Sequence, residues 1–237
     1  MITIQKNYNS SYEPTYIFAS CKDWHRASFD LLCNNPKSKW IYVSNTSELE
    51  DAVSKNYPTY IFFLHWSWII DEAIWKSFEC VCFHMTNVPY GRGGSPLQNL
   101  ILAGHSHTVL TALRMVKEID AGPVYAKRYL SLDGTAEDVY LRSGKLSIEI
   151  IQWMILNNPQ PMPQEGVVTI FKRRKPEQSN LPINGNLRDA YDFIRMLDAS
   201  GYPRAFVENG VYKLTFRNAR IGENKIIAEV EIRMKEK

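Results

Sequence analysis

Cys82 and His84 stand two residues apart in the run Glu79-Cys-Val-Cys-Phe-His84, and Asp120 opens the turn Asp120-Ala-Gly-Pro123. Side chains two apart on a strand share a face, so Cys82 and His84 are expected to point the same way. A histidine has a reference pKa of about 6.5 and exchanges protons near neutral pH, most effectively when a carboxylate orients it. Between His84 and Asp120 lies Met85-Thr-Asn-Val-Pro-Tyr-Gly-Arg-Gly-Gly-Ser-Pro96, whose glycines and prolines mark a loop. A histidine at a strand end is also an ordinary structural residue, and this set alone defines no reaction.

Other groups carry weaker signals. Gly91-Arg-Gly-Gly94 lacks both the Lys-Ser/Thr ending and the spacing of a phosphate loop, and reads as a flexible active-site loop. His105 and His107 have no neighbouring carboxylate or cysteine to complete a metal set, so no metal is expected. Lys172-Arg-Arg-Lys175 is a basic run that suits either phosphate or plain solvent. His65-Trp66-Ser67-Trp68 follows an apolar run and suits either a pocket wall or core packing.

These residues need a scaffold. Thr15–Ser20, Lys39–Ser44, Tyr60–Leu64 and Glu79–His84 read as strands, near-continuously apolar as in a parallel sheet covered on both faces. Helices are expected at 24–32, after a cap at Thr46, and around 71–78. Ligands of such sheets bind beyond the carboxyl ends of the strands, where His84 and its loop would lie. Further on come a helix at 97–103, strands at 108–113 and 124–132, a helix opening at Thr135, and an amphipathic helix at 147–156. The stretch 157–166 holds three prolines and reads as a linker. Beyond it, a helix at 187–199 precedes strands at 204–208, 211–216 and 225–234. The expectation is an α/β catalytic domain over 1–160 and a small β-rich subdomain over 161–237.

Composition sets outer bounds. In 237 residues, 45% hydrophobic and 22% charged, wholesale disorder is excluded. No apolar run reaches the roughly 18 residues that cross a bilayer, and the amino terminus lacks a secretory pattern. The four cysteines read as reduced thiols, so a cytoplasmic location is expected. A net charge of +3 is too mild to mark a nucleic-acid scaffold.

The segment from Phe83 to Pro96 resembles the His-x-Ser-Leu-Leu-Pro loop of the formyltransferase family. Leu113 to Pro123, ending Ile-Asp-Ala-Gly-Pro, is similar to that family's Asp-x-Gly-Pro segment, and the interval of 36 residues from His84 to Asp120 fits its spacing. The family includes methionyl-tRNA, glycinamide ribonucleotide and sugar N-formyltransferases. The resemblance covers residues 58–156 and extends weakly into 172–179. It implies a Rossmann-like domain that takes 10-formyltetrahydrofolate, with His84 as acid or base and Asp120 organising proton transfer. Folate contacts are expected at Thr86, Val88, Pro89, Arg92, Gly93 and Met115.

One position departs from the family. Where it keeps an asparagine two residues before the histidine, this chain has Cys82. An amide donates a hydrogen bond to a developing oxyanion and a thiol does so poorly; losing one such donor elsewhere costs on the order of 100- to 1000-fold. Another donor substitutes, the enzyme is slow, or the protein binds folate without catalysis. A Cys82 nucleophile and a plain buried thiol are the remaining readings. The leading expectation is formylation of a nucleotide-linked amino sugar in polysaccharide biosynthesis, by a chain that engages neither nucleic acid nor membrane and is compatible with a homodimer. The alternatives are a methionyl-tRNA formyltransferase-like protein, disfavoured by a tail of about 70 residues and the low charge, glycinamide ribonucleotide formylation, and an impaired folate-binding homologue.

Overall fold

The computed structural model describes residues 13–34 and 38–235. Most of the amino-terminal stretch read above for a leader lies outside them. The chain forms two compact units, Met1–Cys80 and Val81–Lys237.

The first unit is a parallel α/β layer. Its strands are β1 (Thr15–Ala19), β2 (Lys39–Val43) and β3 (Tyr60–Phe63), alternating with helices α1 (Arg26–Cys33), α2 (Thr46–Lys55) and α3 (Glu72–Ser77). β1 lies centrally, with Ile17 opposite Ile41 on one side and Ile61 on the other, both pairings parallel. Ile17, Phe18, Ile61 and Phe62 are fully buried, as expected of strands covered on both faces. The cap of α2 is Asn45 rather than Thr46: the Asn45 side chain accepts the Glu48 N–H at 2.9 Å. Asp71 caps α3 in the same way through the Ala73 N–H.

β4 (Cys80–His84) leads into the second unit. There follow β5 (Arg92–Gly93), α4 (Pro96–Leu102), β6 (His107–Arg114), β7 (Val124–Ser131), α5 (Ala136–Asn157) and β8 (Ile170–Phe171). Unlike the first three strands, β4 pairs antiparallel with β6, placing His84 opposite Thr111, and β6 pairs antiparallel with β7. The two helices expected after Thr135 are one helix of 22 residues. Thr135 opens it with a reciprocal capping box to Asp138.

The carboxyl-terminal part holds α6 (Leu187–Arg195) and a separate antiparallel sheet of β9 (Phe206–Asn209), β10 (Tyr212–Ile221) and β11 (Ile226–Met234), with β10 central. α6 is tied down by Arg195, whose buried guanidinium donates to the Leu132 and Gly134 carbonyls. The expected fold class, α/β with a small β-rich carboxyl-terminal part, is the one observed.

Candidate active site

β4 delivers His84 at its carboxyl end, where the ring is buried between the following loop and the 119–122 turn. Its Nε2 lies 2.8 Å from the Gly91 carbonyl. A carbonyl only accepts, so Nε2 carries the hydrogen and donates. Nδ1 then faces the Asp120 carboxylate, 3.5 Å from Oδ2. That oxygen also accepts the Gly93 N–H at 2.9 Å. His84 and Asp120 are thus brought together, and both are anchored to the loop between them.

The turn carrying Asp120 is sterically specified. Asp120 adopts φ +54°, a left-handed conformation that aspartate tolerates better than most residues. At Gly122 a Cβ would sit 1.8 Å from the Arg114 carbonyl, so only glycine fits. The Arg114 N–H donates to the Pro123 carbonyl at 2.9 Å and closes the turn.

The loop expected to be flexible is packed instead. β5 pairs in parallel with β8, Arg92 opposite Ile170 and Gly93 opposite Phe171. A Cβ at Gly91 would lie 2.7 Å from the Phe171 ring, at Gly93 2.5 Å from the Phe171 carbonyl, and at Gly94 2.5 Å from Arg173 Cα. These glycines admit a neighbouring chain segment, and no phosphate is needed to explain them. The Gly91 N–H donates to Thr169 Oγ1 at 2.7 Å, and the Gly91 carbonyl takes a second hydrogen bond from Thr86 at 3.3 Å.

The expected folate contacts lie on this loop except Met115, which directly follows β6. Thr86, Val88 and Pro89 are buried, the last after a cis peptide bond. Arg92, Gly93 and Met115 are half-buried. Cys82 is half-buried, two residues before His84 on β4, opposite Leu113. Among the described residues, no group of three side chains could hold a metal ion. His105 approaches the Tyr90 hydroxyl at 3.1 Å, and His107 stacks on Tyr129. Within the basic run, the Arg174 N–H donates to Ser95 and its guanidinium lies over the Phe193 ring, so that residue is structural.

Three residues escaped the sequence reading. Lys127 donates to the Asn87 side chain and the Val88 carbonyl at 2.6 and 2.7 Å, fixing the loop, and burial lowers its pKa. Thr169 supports Gly91. Gln164, from the stretch taken for a linker, bonds to Arg92, Asp120 and Gly122 at once.

A buried histidine facing a half-buried carboxylate at a strand end of an α/β fold is chemically able to exchange protons, and the class of protein follows from its relatives. The chain is 43% identical to a methionyl-tRNA formyltransferase from Clostridium thermocellum, over 94% of this chain and 100% of that one, with a TM-score of 0.90. It belongs to the formyltransferase family and is a formyltransferase. Residues 176–233 match the family described as "Methionyl-tRNA formyltransferase, C-terminal domain". The tail expected to be too short for such an appendage therefore resembles that domain. A 4-N formyltransferase from Francisella tularensis shares the fold at 16% identity and a TM-score of 0.63, covering 82% of this chain and 92% of its own. HypX from Aquifex aeolicus, solved in complex with tetrahydrofolic acid, does so at 16% and 0.72, over 86% of this chain and 37% of its own. Among the described residues no helix is long and apolar enough to cross a membrane.

Proposed function

We propose that this chain moves the formyl group of 10-formyltetrahydrofolate to the primary amine of methionyl-tRNA, with His84 as base and Asp120 as its carboxylate partner. The placement of His84 between the Gly91 carbonyl and Asp120 carries the reading. With Nε2 committed to Gly91, only Nδ1 can accept a proton. The amine nitrogen bonds to the formyl carbon, the bond from that carbon to folate N10 breaks, and N10 takes up a proton. The proton lost by the amine passes to Nδ1, where the Asp120 carboxylate stabilises the imidazolium. The choice of acceptor is supported by the 43% identical relative and by the matching carboxyl-terminal region.

A second acceptor, a nucleotide-linked amino sugar, is favoured by one observation. On or beside the carboxyl-terminal sheet Arg217, Arg233 and Lys235 are each paired with a glutamate, which offsets part of the positive charge open to an RNA backbone. The two readings separate in a formylation assay offering methionyl-tRNA or nucleotide-linked amino sugars with 10-formyltetrahydrofolate. Formyl-methionyl-tRNA at a rate that falls steeply with salt supports the first. Product from the sugars alone replaces it with the second.

A further inference from the structure

We infer that Gln164 is a positioning residue that holds the Asp120 turn and Arg92 in register for proton transfer. The inference rests on the reading of His84 and Asp120 given above. Gln164 Nε2 donates to the Asp120 carbonyl and to the Gly122 carbonyl, each at 2.8 Å. Its Oε1 accepts from Arg92 Nε at 3.1 Å and from Nη2 at 2.8 Å. Both amide hydrogens and both oxygen lone pairs are used, which is the full capacity of this side chain.

The partners also fix which way the amide points. A flipped amide would set its oxygen against two carbonyls and its NH2 against a guanidinium. Glutamine meets this requirement because it has two donors on one side and one acceptor on the other. Glutamate would keep the guanidinium but repel both carbonyls; leucine would satisfy neither.

The consequence for chemistry is geometric. Asp120 sits in a left-handed turn and touches the loop through the Gly93 N–H. Gly93 adjoins Arg92, so Gln164 closes a ring that runs Asp120, Gly93, Arg92, Gln164 and back to the Asp120 backbone. The ring fixes the carboxylate against His84 Nδ1 from two directions. Displacing a catalytic group by about 1 Å costs up to 100-fold in rate.

The test compares Gln164→Ala, Gln164→Glu, Asp120→Asn, the double variant Gln164→Ala/Asp120→Asn, and His84→Ala. Single-turnover formyl transfer is read with 10-formyltetrahydrofolate and the acceptor found active for the parent protein, on variants shown folded by their melting curves. Gln164→Ala is expected to lower the chemical rate roughly 10- to 100-fold and to move the limb of the pH–rate profile that reports the base. Gln164→Glu keeps the Arg92 contact but cannot donate to the Asp120 and Gly122 carbonyls, so it should be about as slow as Gln164→Ala. The Gln164→Ala loss should largely vanish in the Asp120→Asn background, because the residue acts through Asp120. An unchanged rate in folded Gln164→Ala, an unmoved profile, or a fully additive double variant overturns the inference while His84→Ala remains inactive. Full activity in His84→Ala removes the underlying site reading, and this inference with it. Should Gln164→Ala fail to fold, the rate of folded Gln164→Glu decides, and a parental rate there overturns the inference.

Discussion

His84 donates from Nε2 to the Gly91 carbonyl at 2.8 Å, and this bond leaves Nδ1 as the ring's proton-accepting nitrogen. Two features of the loop hold the carbonyl in place, the Thr86 hydroxyl and the hydrogen bond from the Gly91 N–H to Thr169. His84→Ala should therefore lower kcat at least about 100-fold, the scale of general acid–base catalysis. His84→Gln can still donate to Gly91 but takes up no proton, and should be as slow as alanine. Steady-state rates with folate donor in excess check both; a near-parental glutamine variant would show that His84 only braces the loop.

Cys82 shares the face of β4 that carries His84, at the position where the resemblance places an asparagine. If the developing oxyanion lacks an amide donor here, Cys82→Asn should raise kcat by tenfold or more, within the 100- to 1000-fold that such a donor supplies elsewhere. Cys82→Ala should change little, since the thiol is a poor donor. A flat response to asparagine in single-turnover assays would show that another group already serves the oxyanion.

Gly122 is the sterically forced residue of the Asp120 turn, with the Arg114 carbonyl 1.8 Å from where a Cβ would lie. Backbone cannot yield as a flexible side chain does. Gly122→Ala should cost roughly 2–4 kcal/mol of stability and, by moving Asp120, at least about tenfold in rate. Gly104 is the comparison: its φ is +80° but nothing lies within 4 Å, so alanine there should cost only about 1–2 kcal/mol and leave catalysis unchanged. Melting temperatures and kcat of the two variants check the contrast.

β1 and β3 were legible because each is an apolar run buried on both faces, and sequence shows such runs directly. α5 reads from sequence as two helices because Ser143, Gly144 and Ser147 interrupt its apolar pattern. The structure resolves the interruption, since Ser143 and Ser147 donate to the Tyr140 and Ser143 carbonyls and so satisfy themselves inside one helix. His84 and Asp120 stood out by residue type and interval. Gln164, Thr169 and Lys127 did not, because their work is contact with backbone 39 to 78 residues away, which no local pattern encodes. The rigidity of Gly91–Gly94 was hidden for the same reason: glycine reads as freedom until the segment that fills its space is known.

The first unit contains a pair of imidazoles that makes it sensitive to acid. His25 Nε2 and His65 Nδ1 lie 2.8 Å apart, one donating and the other accepting, which requires the accepting ring to be neutral. Burial lowers the pKa of each; the neighbouring histidine adds to the effect at His25, and Lys22 adds to it at His65. Unfolded histidines titrate near 6.5, so below that pH the unfolded chain binds protons that the folded pair refuses. Stability is then fully present above about pH 6.5 and declines as pH falls towards about 4, where His65 itself begins to protonate. Chemical denaturation midpoints measured between pH 7.5 and 4.5 should show this fall. His25→Phe, which keeps the apolar volume and removes one titrating ring, should flatten the slope even if it lowers stability at pH 7.5. A variant with the parental slope would place the acid sensitivity in other groups of the molecule.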